Sequence, residues 1–139
     1  MDGLRARSVL VAGEETEGRF ALVETVEARG SEMPGHLHHR EGEALCVLDG
    51  VVDIWVAGRR REASAGAVVF VPRLAEHALV VKTGPARVLS LFVPAGFEGF
   101  YRDVGAAGLR HVDAERLVTT AARYGCEIVG PGAENRCTR

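Results

Sequence analysis

Apolar and polar positions alternate in short runs through most of the chain, and Gly, Pro or Asp-Gly cuts the runs at regular spacing. Ser8 to Ala12 (S-V-L-V-A) is a β-rich run closed by Gly13, and the acidic E-E-T-E-G after it reads as a solvated turn. Phe20 to Ala28 alternates toward its end, the pattern of a half-buried strand. From Glu43 the chain reads E-A-L-C-V-L, then Asp49-Gly50, then V-V-D-I-W-V, and a D-G pair between two β-rich runs predicts a hairpin. Ala57-Gly58 ends that second run, and Arg59-Arg60-Arg61-Glu62 leads into another. Gly66 opens A-V-V-F-V-P, and His77 opens H-A-L-V-V before a predicted turn at Lys82-Thr83-Gly84-Pro85. Ala86 to Val93 is the last clear strand, closed by Pro94.

After Pro94 the pattern changes to helical periodicity. Gly96 to Asp103 predicts a short helix carrying aromatics. Asp113 is placed to cap a helix with Leu117 and Ala121 four apart, which Gly125 stops. The stretch from Gly130 to Arg139 is rich in Pro, Gly and polar residues and is expected to be poorly ordered. Many short strands followed by small helices predict an all-β barrel or sandwich with a helical appendix. There is no repeat and no domain boundary. One domain spans 1–139, with a barrel core at about 20–94 and a helical extension at 97–125.

Composition narrows the class. A chain of 139 residues with a hydrophobic fraction of 47% can bury its own core. A net charge of −2 gives no field that would steer it toward nucleic acid or an anionic membrane. Three cysteines without a C-x-x-C spacing predict free thiols in a reducing cytoplasm. The start M-D-G-L-R-A-R-S lacks the apolar segment of a signal peptide, and no apolar run reaches membrane-span length. A soluble, cytoplasmic protein acting on a small molecule is the expectation.

The chemistry concentrates between Gly30 and Gly50, which hold His36, His38, His39 and Glu43. His36 and His38 are two apart, so on a strand both imidazoles point to one side. By the same period, Glu43 shares a face with Leu45 and Val47, and His77 with Leu79 and Val81. A carboxylate aimed at an apolar interior is costly unless a positive partner meets it, and a dication held by histidines is such a partner. If His77 folds back over His36 and His38, these three imidazoles and Glu43 form a transition-metal site with open positions. Iron, manganese, nickel, cobalt, copper and zinc all suit that mixed donor set.

Gly30-(five residues)-His36-x-His38-(four residues)-Glu43-(six residues)-Gly50 resembles the first motif of the cupins at every fixed position, and Gly66-(five residues)-Pro72-(four residues)-His77 resembles most of the second. Leu74 stands where the second motif has glycine, and Val81 where it closes with asparagine. The segments P-G-H-L-H-H-R-E-G-E, G-F-E-G-F-Y-R-D-V-G and A-A-R-Y-G-C-E-I-V-G-P are similar to small cupins described as quercetin 2,3-dioxygenase-like, over roughly residues 20 to 132. This resemblance implies a double-stranded β-helix, jelly-roll-like, with one divalent transition metal per chain on His36, His38, Glu43 and His77. It further implies a dioxygenase acting on a phenolic or enolisable substrate, with Glu43 as base as well as ligand. A polyketide-type cyclase or isomerase, and a non-catalytic binding module, are the alternatives. It also implies a homodimer, in which a strand such as Ser8 to Ala12 adds to the neighbour's sheet edge.

Simpler roles are expected for the remaining residues. His39 should face away from His38, as a surface residue or a neighbour of the ligands. His111 is expected to be exposed. Arg40 and Glu41 read as solvated loop residues, and Arg59-Arg60-Arg61 as a wet turn. Trp55, Phe70 and Phe92 read as barrel core, while Phe97, Phe100 and Tyr101 dock the appended helix.

Overall fold

The computed structural model describes residues 6–105 and 114–130. His111, the Asp113 cap, Cys137 and the stretch beyond Gly130 lie outside them. Two long strands set the architecture: β4 (Gly42–Val56) and β7 (His77–Val93). They pair antiparallel from Gly42 against Val93 to Val56 against His77. Around them lie β1 (Ala6–Val11), β2 (Ala21–Glu27), β3 (Glu32–His38), β5 (Arg59–Ser64), β6 (Val68–Val71) and β8 (Cys126–Ile128). The hydrogen-bonded order is β1-β2-β7-β3-β8, while β4 carries β5 and β6 on its other side. The all-β fold with short C-terminal helices is as the sequence implies.

The predicted hairpin at Asp49-Gly50 does not form. β4 runs straight through it, and β7 runs through the predicted turn at Lys82-Thr83-Gly84-Pro85. The two irregular segments lie opposite each other, where the pairing register shifts between Val47 and Val52. Gly50 has φ +82, the left-handed conformation that a D-G turn and a glycine-containing β-bulge both need, so the dipeptide alone does not distinguish them. The bulge lets both strands bend and contribute to two walls. A side chain at Gly50 would also meet Ala86 Cα at 2.7 Å and Thr83 O at 2.8 Å. Gly50→Ala is therefore expected to destabilise the fold by roughly 2 kcal/mol or more, combining left-handed strain with the clash. A denaturant-unfolding midpoint equal to that of the parent would contradict this.

Between the walls lies a core of Leu45, Val47, Val52, Ile54, Leu79, Val81, Ala86 and Val88. These are alternate residues of β4 and β7, as the period of two requires. Trp55 is buried on the other face against Ala78. Phe92 is fully buried, but Phe70 is 64% exposed, contrary to its reading as core. Phe70 and Val68 alternate with buried Val69 and Val71, so both face outward from β6.

Helices α1 (Glu98–Val104) and α2 (Ala114–Arg123) cover one end. Phe97, Phe100, Val104 and Ala121 pack against Val23, Phe92 and Cys126. The buried Glu98 carboxylate ties α1 to the turn after β1 by accepting from the Gly13 amide at 2.8 Å, and it also accepts from the Gly96 amide at 2.6 Å. Gly125, at φ +72, ends α2, and the chain drops directly into β8. β8 was not legible as a strand, because three residues after a helix stop carry no periodicity. It pairs His38 with Cys126 and His36 with Ile128, flanking the histidine strand. No helix among the described residues is long and apolar enough to cross a membrane.

Candidate metal centre

The pleat of β3 places His36 and His38 on the inner face, with 5% and 2% of their surface exposed. β3 pairs with β7 in a register that sets His36 directly opposite His77. Glu43, the second residue of β4, points inward ahead of Leu45 and Val47, as the alternation predicted. One donor atom from each of His36, His38, Glu43 and His77 lies within 4.8 Å of the others. That span is a little over twice a metal–nitrogen distance of about 2.0–2.1 Å.

The turn before His77 keeps its shape without glycine. Leu74 adopts φ +74 itself, and its amide donates to the His38 carbonyl at 2.9 Å, tying the turn to the histidine strand. Val81 lines the interior and offers no donor. His39 faces outward, 53% exposed, and meets Glu127 Oε1 at 2.9 Å. Arg60 is paired with Asp53 at 2.6 Å, and all three arginines of its run are exposed.

Hydrogen bonding orients two of the imidazoles. His36 Nδ1–H donates to the Pro34 carbonyl at 2.8 Å, and His77 Nδ1–H to the Ala75 carbonyl at 3.1 Å. A carbonyl only accepts, so both rings keep their Nε2 lone pairs for the interior. Glu43 Oε1 lies 3.3 Å from His77 Nε2 and 3.3 Å from His38 Nε2. The Glu43 oxygen and His77 Nε2 have no hydrogen-bond partner. Two buried acceptors facing each other are unfavourable unless a cation lies between them. The four side chains therefore fit a metal ion.

Burial lowers the His36 pKa to about 3, and the charges of His77 and His38 push the same way. Burial alone would raise the Glu43 carboxyl, but the His38 and His77 imidazoles reverse this and hold it below the usual carboxylate range. The sign for stability follows. Between about pH 3 and 6.5 the unfolded chain binds a proton at residue 36 that the folded chain lacks, so stability falls as pH drops through that window. The metal-free protein is expected to lose on the order of 2 kcal/mol between about pH 7 and pH 5, read as a falling melting temperature. A flat profile would contradict it.

Two features went unread in the sequence. Glu41 is not a solvated loop residue: it is 1% exposed, and its Oε1 lies 3.8 Å from His38 Nδ1. Burial raises its pKa. The available signal was parity, since Glu41 shares the inward phase of Glu43, Leu45 and Val47. The aromatics after Pro94 also do more than dock a helix. Phe97 stands edge-on to His38 with ring centres 4.5 Å apart, and Phe97, Phe100 and Tyr101 line a cavity. That cavity measures about 870 Å³ including its opening to solvent. Its wall includes His36, Met33, Leu45, Leu79 and Val88, with Thr25, Glu27, Ser31, Glu32 and Ser90 as further polar lining.

An open β-jelly roll with three inward imidazoles and one carboxylate defines a cupin with a candidate metal site. Residues 22–92, just over half of the chain, match the Cupin domain model, and the chain belongs to that family. It is 24% identical over 105 residues to quercetin 2,3-dioxygenase of Bacillus subtilis, an alignment covering 76% of this chain but only 31% of that enzyme. The chain thus spans about a third of the length of that relative. Its fold is similar to KdgF from Halomonas sp. (TM-score 0.59, 23% identity, covering 63% of this chain and 76% of the other). It is likewise similar to the polyketide cyclase RemF from Streptomyces resistomycificus (TM-score 0.56, 24% identity, 66% of each chain).

Proposed function

We propose that the chain is a metal-dependent enzyme acting on a small phenolic or enolisable molecule, by a quercetinase-like dioxygenation. The observation that carries this reading is the buried convergence of His36, His38, Glu43 and His77, of which His36 also lines the adjoining, largely apolar cavity. The likeness to quercetin 2,3-dioxygenase supports the choice of reaction. One divalent transition ion on those four side chains would supply Lewis acidity at a substrate oxygen and, if redox-active, an electron path to dioxygen.

The chain's own residues do the rest. Glu43 is ionised and aimed inward, so its carboxylate is the acceptor for a proton leaving a substrate hydroxyl. Phe97, Phe100 and Tyr101 offer ring faces and edges to a planar substrate at the cavity wall. Met33, Leu45, Leu79 and Val88 keep the site apolar, which strengthens every charge interaction inside it. The Pro34 and Ala75 carbonyls hold the His36 and His77 rings in one tautomer.

Oxygen uptake during incubation with quercetin, for protein loaded separately with each candidate metal, tests the reading. Uptake matching flavonol consumption is the expected result. Turnover of an enolisable substrate without uptake would replace dioxygenation by a cyclase or isomerase reaction on the same residues. Saturable flavonol binding without turnover under any metal would make the protein a binding module.

A further inference from the structure

We infer that Glu41 is a positioning residue for His38, the acceptor that holds this imidazole with its Nε2 turned toward the metal. The inference rests on the metal reading above and goes beyond it, since Glu41 belongs to neither cupin motif and offers no donor atom to the four-residue cluster.

The three imidazoles are not supported alike. His36 and His77 each donate Nδ1–H to a backbone carbonyl two residues before them. His38 has no such carbonyl. Its Nδ1 is buried without a hydrogen-bond partner, and so is the Glu41 oxygen that faces it at 3.8 Å. A buried nitrogen and a buried carboxylate oxygen, both unpaired and facing each other, are costly as separate groups but complementary as a donor and an acceptor. Once Nε2 gives its lone pair to a cation, the ring proton must sit on Nδ1, and Glu41 is the acceptor beside it. A hydrogen bond of about 2.8 Å requires the two groups to close from 3.8 Å.

The surroundings leave His38 few alternatives. Phe97 and Phe92 contact its ring at centre distances of 4.5 and 5.7 Å, and neither offers an acceptor in the ring plane. Behind the carboxylate stands Gly96, where a Cβ would come within 3.4 Å of Glu41 Oε2. The arrangement has two consequences. His38 becomes the most electron-rich of the three imidazoles, because its orienting partner is charged and the other two are neutral carbonyls. And Glu41 joins Glu43 as a second buried carboxyl group beside the three imidazoles.

Titration of the metal-free protein with Co(II) tests this. The dissociation constant comes from competition with a chromophoric chelator, and the ligand-field spectrum reports the donor set. Glu41→Leu is expected to weaken Co(II) binding by about 10–100-fold, the range for lost outer-shell partners, with Glu41→Gln intermediate because its amide oxygen still accepts. In a His38→Ala background Glu41→Gln should change affinity by less than about 2-fold, whereas in a His77→Ala background its effect should persist. If the leucine variant fails to fold, the near-isosteric glutamine variant and the two backgrounds decide the question. Equal Co(II) affinity in parent and Glu41→Gln, or an undiminished effect without His38, would overturn the inference. Absence of Co(II) binding by the unsubstituted protein would instead overturn the metal reading, and this inference with it.

Discussion

Glu43→Gln is expected to lower turnover by about 10²–10⁴-fold, the usual contribution of a positioned proton acceptor, while far-UV circular dichroism stays that of the parent. The substitution keeps the volume and one oxygen but removes the charge that faces His38 and His77 at 3.3 Å. It thereby removes a proton acceptor and weakens the hold on the cation together. Because the fold holds the Glu43 carboxyl below its usual range, removing that charge also removes stability at neutral pH, so the metal-free variant should keep its fold but melt somewhat lower than its parent. The two readouts therefore move separately: activity collapses and folding does not. Full activity would remove Glu43 from the proposed mechanism.

His77→Ala is expected to have the second large effect, a drop in copurified metal to a small fraction of the parent level. It should weaken binding by more than the roughly 10–100-fold seen for outer-shell partners, since a donor itself is lost. His77 is 2% exposed and its Nε2 lies 3.3 Å from Glu43 Oε1, so truncation also takes from the buried Glu43 carboxylate one of the two imidazoles that face it. Loss of metal-dependent stabilisation should accompany it, visible as a melting temperature that no longer responds to added Co(II). Unchanged metal content would mean that the ion, if any, is held elsewhere.

Legibility in the sequence followed periodicity. The inward phase of His36, His38 and Glu43 could be read because strand alternation is a local property, and the apolar residues Leu45 and Val47 declare which face is inside. His77 could be placed by its phase with Leu79 and Val81, although its meeting with His36 is a matter of register, visible only once β3 and β7 pair. Glu41 carried the same phase but lay before the apolar run, where a charged residue between Arg40 and Gly42 looks like solvent-facing loop. Its carboxylate lies beside Gly96, which sequence order sets far away. At Asp49-Gly50 the local signal was correct about backbone conformation and wrong about topology. A left-handed glycine suits a hairpin and a bulge equally, and the choice is made by β7, which bends at the matching point.

Phe70 illustrates the limit of composition. Its hydrophobicity suggested core, but the β6 alternation with Val69 and Val71 inside sends it outward. By contrast, Leu74 shows that a motif position can keep its geometry without its usual residue, since the left-handed conformation at φ +74 survives the change from glycine to leucine.

The central claim is that His36, His38, Glu43 and His77 hold one metal ion. Elemental analysis of untagged protein, purified with neither added metal nor chelator, tests it most directly. The account predicts about one transition-metal ion per chain, lost in the His77→Ala variant. A folded parent protein that carries no metal, and takes up none when Co(II) is added, would contradict it.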